Sequence, residues 1–351
     1  MTRKHLWTGT LAIAGMAMIQ PAHAEEGVVT VAGYDGIFAD HYVETVIEGF
    51  REAYPDIEID YYPMTNSAAM LGMLRAQQED PLLDVVIMDV SVAKAATDEG
   101  LTAELDPSIV TNLEDLYPTA FTEGVNGPAV TFDNLVLMYN TEAVEEPPTS
   151  WEALWDEQHD GMITIPAAPD IQGTALTIIA NKLAGGAPYT ENLDAGVEKL
   201  AELAPHVQTW DPSPDPYVPI MNGSANIGIG WNARGQIYSD QSEGAMKVVI
   251  PEEGSIFQIN TINLVANSPD AEAAQTFINY ALSPEAQAAF TEAMFYAPTN
   301  SKAQPSQEAM ERTAATPERM ESMMDVNWLE VAEFREDLSE RWRREIISQS
   351  R

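Results

Sequence analysis

The sequence predicts an α/β protein of two lobes, each a mainly parallel sheet with helices on both faces. Three observations predict it. Short β-type runs alternate with amphipathic helical runs over residues 28–100, and a second alternating series covers 129–231. The third is size: 351 residues, 45% hydrophobic and 21% charged, are enough for two cores of ordinary dimensions.

In chain order, "VVTVAGY" reads as a strand, "HYVETVIEGFREAY" as an amphipathic helix and "IEIDYYPM" as a second strand. "SAAMLGMLRAQQ" is helical, "LDVVIMD" is an apolar strand, and "SVAKAATDEG" carries a further helix. This strict alternation argues for parallel strands covered on two sides. The second series opens on "AVTFDNLVLMYN" and passes through "MITIPAA", the helices "TALTIIANKLAGG" and "LDAGVEKLAELAP", and the strand "SANIGIGW". "SIFQINTINLVANS" returns to strand character. Two helices then follow, separated by Ser283 and Pro284, with the proline suited to a first helical turn. The proline-rich "DPSPDPYVP" has the length of a cleft rim, and no repeat or low-complexity block is present.

The N-terminus carries Arg3 and Lys4, an apolar run from Leu6 to Ile19, and the small-residue site Ala22-His23-Ala24. That pattern predicts a secretory signal cleaved after Ala24. The run is shorter than the roughly 20 apolar residues of a membrane span, so an exported protein without membrane insertion is expected. The chain has no cysteine, hence neither disulfides nor a thiol for lipidation, which favours a free protein in a Gram-negative periplasm over a tethered one; a monomer is expected. Removing the signal leaves 15 basic residues against 55 acidic ones, a formal charge of −40. Nucleic acid is excluded as a partner, because phosphate binding needs a basic footprint. The acid excess itself is a solvated surface and names no ligand.

Four separated segments, "TSWEALWDEQHDGMITIP" at 149–166, "NIGIGWN" at 226–232, the long run 250–290 and "YAPTN" at 296–300, together resemble one family. It is the extracellular solute-binding proteins of ABC importers, in the spermidine/putrescine-binding branch. The resemblance covers nearly all of the mature chain and implies the type II periplasmic binding fold, with ligand held between two lobes that close upon it. It implies a small-molecule ligand and a membrane permease as partners, with no cofactor and no metal. It also sets boundaries: 1–24 as signal, 25–131 with 257–303 as the first lobe, 132–256 as the second, and 304–351 as a helical tail.

The same resemblance, with the rule that ligands sit beyond the carboxyl ends of strands in open α/β sheets, selects the candidate binding residues. They are Tyr34, Asp35 and Gly36 after the first strand, Asp89 and Ser91 after "DVVIM", and Phe132 and Asp133 at the lobe crossing. Asp170 and Gln172 follow "ITIPAA", and Trp231 ends "NIGIGW". A tryptophan face attracts an ammonium by its ring quadrupole; the alternative is a core tryptophan.

Here the chain departs from its relatives. Polyamine binders pair several carboxylates with separate amines, and one acid with a nearby aromatic lies in the strand after their "GGIFW". This chain has "GSIFQINT", with Gln258 and Asn260 in those places. Arg234, three residues past Trp231, adds a cation whose fork fits a carboxylate or phosphonate and repels a diamine; alternatively it is a solvated arginine at a helix start. The loss of an acid and the gain of a cation point to a zwitterion such as an ω-amino acid or an aminophosphonate. Arg234 would take the anionic end, and Asp89 or Asp133 with Tyr34 and Trp231 the ammonium. A polyamine is the alternative ligand.

Other classes fit less well. A ferric-iron receptor would need adjacent tyrosines in the second half of the chain, where Tyr238 stands isolated; Tyr61 and Tyr62 fall in a strand that sends them to opposite faces. The histidines left after signal removal, His41, His159 and His206, are far apart and form no zinc motif. No Gly-x-Ser-x-Gly elbow marks a hydrolase, and 55 acids make chance carboxylate pairs uninformative, so an enzyme is not expected. In the tail, Trp328, Leu329, Val331, Phe334, Leu338 and Trp342 recur at helical spacing. Such a stripe predicts packing against a lobe, with permease docking as the alternative.

Overall fold

A computed structural model describes residues 27–350; the predicted signal, 1–24, lies outside them. Ten strands are present among the described residues: β1 (Val28–Tyr34), β2 (Glu58–Met64), β3 (Val85–Asp89), β4 (Thr102–Ala103), β5 (Ala129–Asn140), β6 (Ile163–Thr164), β7 (Val207–Thr209), β8 (Ile227–Trp231), β9 (Met246–Val249) and β10 (Phe257–Val265). They run in the order β2-β1-β3-β10-β5-β8-β6-β7, with β4 on β10 and β9 on β5.

The architecture is the expected two-lobed α/β fold, and β5 explains how two lobes share one path of strands. All twelve residues of β5 are buried. Ala129–Asn134 pair with β10, and Leu135–Asn140 pair with β8 and β9. At the changeover the Leu135 N–H donates to the Ile256 carbonyl at 3.2 Å, so both crossing segments meet at one level. A strand buried on both faces reads as a nearly continuous apolar run, as "VLMY" does here.

Away from the crossing the strands are parallel: β1 with β2 and β3, and β6 with β7 and β8. The crossing strands are the exception, since β10 runs antiparallel to β3 and β5, and β5 antiparallel to β8 and β9. Each face of each lobe has its own apolar cluster. In the first lobe Val31, Ile87 and Phe277 lie on one side and Met70, Met88 and Ala93 on the other. In the second, Trp151, Leu176 and Ile229 lie on one side and Met138, Tyr217 and Ile220 on the other.

The C-terminal stripe packs as core. Helix Trp328–Arg341 and the turns after it bury Trp328, Val331, Leu338, Trp342 and Ile346 in the second lobe's cluster. Trp342 Nε1 donates to Thr177 Oγ1 at 2.9 Å, and its ring meets Trp210 edge-on at 5.3 Å. Before this helix the chain forms a strap against the crossing, where the Met324 N–H donates to the Ser255 carbonyl at 2.8 Å. The Ser322 carbonyl lies so close to Gly254 that a Cβ there would stand 1.9 Å away, and Gly254 also has φ +87°, so glycine is required twice over.

Candidate functional site

Strand ends and the helices that follow them carry most of the predicted residues, and Tyr34, Asp133, Tyr217 and Arg234 all act on the charge environment of Tyr296. β1 ends on half-buried Tyr34, whose hydroxyl lies 2.8 Å from Ser67 Oγ and donates to Asn260 Oδ1 at 2.9 Å. Burial first, then the charge of Asp89, pushes the Tyr34 pKa up, so the phenol stays protonated. Asp35 and Gly36 follow in the open, with Gly36 at φ 62° before helix Ile37–Tyr42.

Asp89 ends β3 and caps helix Val90–Asp98: Oδ1 accepts the Ser91 N–H at 2.9 Å and the Ser91 hydroxyl at 2.5 Å. Burial raises its pKa, while the Ser91 donors and the Arg335 charge act in the other direction. Asn260 pairs with Asp89 across the ladder and is fully buried. Both ends of its amide are engaged, Nδ2 donating to Thr131 Oγ1 at 3.0 Å. It is therefore part of the cleft floor, tying β5 to Tyr34. Gln258, opposite Asp133, is half-buried.

Asp133 is 2% exposed. Its Oδ1 accepts the N–H of Asn134 at 2.8 Å and of Ala233 at 3.0 Å. Burial raises its pKa to about 7, the two N–H groups and Arg234 notwithstanding. Phe132 is set apart from this group. Strand alternation turns its ring to the reverse face, where it meets Phe257 at 5.4 Å.

The second lobe carries Asp170, Gln172, Trp231 and Arg234. Asp170 caps helix Ile171–Leu183 through the Gln172 N–H at 2.8 Å. It remains exposed, although surrounding protein raises its pKa by desolvation. Gln172 is buried, and its Oε1 has no hydrogen-bond partner among the described residues. Trp231 ends β8 half-buried, its N–H donating to the Tyr217 hydroxyl at 3.0 Å. It is neither sunk in the core nor free on the surface.

Arg234 lies in the first turn of helix Asn232–Gln241 and is solvent-exposed. Desolvation is the largest influence on its pKa and lowers it; Tyr217, Tyr296, Tyr238 and Asp215 together outweigh that and raise it. It forms no ion pair with a described residue. The proline-rich loop supplies Asp215, which accepts the Tyr238 hydroxyl at 2.9 Å and caps Tyr217 at 2.9 Å.

Sequence reasoning missed three residues here. Tyr296 stands within the charge field of Asp133, Arg234, Tyr34 and Tyr217. Its motif "YAPTN" was visible, but nothing marked the ring as facing inward. Tyr217 was hidden in the proline-rich loop. Arg335 comes from the C-terminal helix: Nη2 donates to the Pro169 carbonyl at 2.8 Å, and its charge reaches both Asp89 and Asp170. A single surface-type arginine in a tail helix carries no signal of that kind.

Taken together, these residues are aromatic rings, buried or capped carboxylates and two arginines, Arg234 and Arg335, that make no direct ion pair with a described residue. Among the described residues no cluster of three or more histidines or carboxylates could hold a metal, and no helix is long and apolar enough to cross a membrane.

Residues 45–318 match the family model described as bacterial extracellular solute-binding protein. The spermidine/putrescine-binding periplasmic protein of Salmonella typhimurium is 24% identical over 310 residues, covering 84% of each chain. The gamma-aminobutyric acid-binding protein of Pseudomonas aeruginosa is 24% identical over 303 residues, covering 83% of this chain and 82% of its own. Among solved structures, a GABA receptor superposes with a TM-score of 0.73 at 22% identity, covering 90% of this chain and 96% of its own, which speaks for the fold. The matched families are transport receptors rather than enzymes. The chain belongs to the bacterial extracellular solute-binding proteins.

Proposed function

We propose that the solute is a small zwitterion, an ω-amino acid or an aminophosphonate, held by Arg234 at its anionic end. The observation that carries this is Arg234 itself, a solvent-exposed guanidinium that makes no direct ion pair with a described residue and lies in the charge field of Tyr217, Tyr296, Tyr238 and Asp215. A charged bidentate contact there is stronger than a neutral hydrogen bond, and a diamine would be repelled. The ammonium would face Asp89 or Asp133 with the rings of Tyr34 and Trp231, and the orphan Gln172 Oε1 is a ready acceptor on the other wall. Asp35, Gly36, Ser91, Asp170, Gln258 and Asn260 complete the set as rim and floor. A gamma-aminobutyric acid-binding relative supports the reading.

Ligand contacts on both walls would favour closure of the lobes, and the closed form would be the one presented to the permease. The receptor would act as a periplasmic monomer after cleavage at Ala24. A polyamine is the second reading, favoured by the three acids Asp89, Asp133 and Asp170 and by the spermidine/putrescine-binding relatives. Native mass spectrometry of protein purified from its own host tests the choice: a retained mass bearing both an acid and an amine is expected, and a retained polyamine would overturn it.

A further inference from the structure

The reverse face of the crossing strands holds a second concavity. Along β10, Phe257 and Ile259 alternate with Gln258 and Asn260, so they leave the strand on the side away from the polar cleft. Phe132, in register with Ile259, leaves β5 on that same side. There a cavity of about 610 Å³ lies between the crossing strands, the loop 119–123 and the strap 320–330. That is the size of small-molecule sites generally.

Its walls are aromatic and sulfur-rich, with Phe121, Phe132 and Phe257 facing Met320, Met323 and Met324. Phe121 is 51% exposed, a large apolar ring left at the mouth. The charged side chains of the lining are all acidic: Glu123, Asp325 and Glu330. Asn327 Nδ2 donates to Glu330 at 3.2 Å, while Glu123 and Asp325 form no ion pair with a described residue.

Ring faces attract a cation while their carbon surface buries apolar area, and methionine thioethers adapt to an irregular guest. Acids around an apolar pocket whose own lining holds no basic side chain, with Lys182 in the adjoining concavity and Lys94 beside Gly124, favour a guest that is greasy at one end and cationic at the other. A neutral hydrocarbon would use only the walls, and a short diamine only the rim.

We propose that this cavity is a second binding site, separate from the cleft, for a hydrophobic organic ammonium ion: one aromatic or branched alkyl body with one cationic head. The proposal does not depend on the zwitterion reading. The test is titration of phenethylammonium into the full chain with ¹³C-labelled methionine methyl groups. The methyl resonances of Met320, Met323 and Met324 are expected to shift, and to do so equally in Arg234→Ala. The double variant Glu123→Gln/Asp325→Asn, altered only at exposed rim positions, should weaken binding about fivefold, the size expected for removing two exposed charges. Neutral 2-phenylethanol, of the same shape, should bind more weakly by a similar factor. Unmoved methyl groups at millimolar phenethylammonium, equal affinity in the rim variant, or perturbation confined to Trp231 would each overturn the proposal.

Discussion

Asp133 Oδ1 accepts the N–H of Ala233 at 3.0 Å, so the carboxylate of a crossing strand anchors the first turn of the helix that carries Arg234. Burial raises the Asp133 pKa to about 7, which makes the anchor costly whenever it is ionised.

That cost has a definite pH dependence. An acid whose native pKa is raised binds protons more tightly when folded, so its contribution to stability is greatest at low pH. It is lost as pH rises from the ordinary aspartate value toward about 7. Asp133→Asn keeps an Oδ1 acceptor and removes the charge. Urea denaturation should find the variant gaining on the native protein between pH 5 and pH 8, by about 1–3 kcal/mol. Parallel stability curves across that range would show that the carboxylate is not strained.

Tyr34→Phe removes a hydroxyl that serves Ser67 and the buried Asn260 at once. Asn260 Oδ1 is then left without its donor in the floor of the cleft. A loss of about 1–3 kcal/mol is expected, read by thermal or chemical denaturation. A neutral outcome would mean that water replaces the phenol freely.

Trp342→Ala should destabilise by about 3–5 kcal/mol, because it empties a fully buried site and removes the donor to Thr177 Oγ1, which keeps only its bond to the Gly173 carbonyl. Denaturation monitored by circular dichroism checks this. A loss below about 1 kcal/mol would demote the tail from core to appendage.

Much of this architecture was legible in the sequence because it rests on periodicity. The alternation that marks β1, β3 and β8 also places Tyr34, Asp89 and Trp231 at strand ends, where the structure has them. The same alternation put Tyr61 inside, donating to the Tyr34 carbonyl at 2.7 Å, and left Tyr62 46% exposed. Strand direction was less legible: β5 and β10 look like any apolar strand, and only pairing shows them antiparallel to their neighbours. Phe132 and Asp133 are adjacent in sequence, and without the register neither could be assigned to the cleft. Tyr296, Tyr217 and Arg335 reach the site from distant segments, and long-range convergence of that kind leaves no local pattern.

The role of Arg234 is the claim on which the ligand assignment turns. Isothermal titration of γ-aminobutyrate, an aminophosphonate, putrescine and spermidine into the native protein and into Arg234→Ala tests it most directly. The account predicts binding of a zwitterion that the variant loses by about 2–5 kcal/mol, with the polyamines weak in the native protein. Tight polyamine binding without a response to either zwitterion, or a zwitterion affinity unchanged in Arg234→Ala, would contradict it.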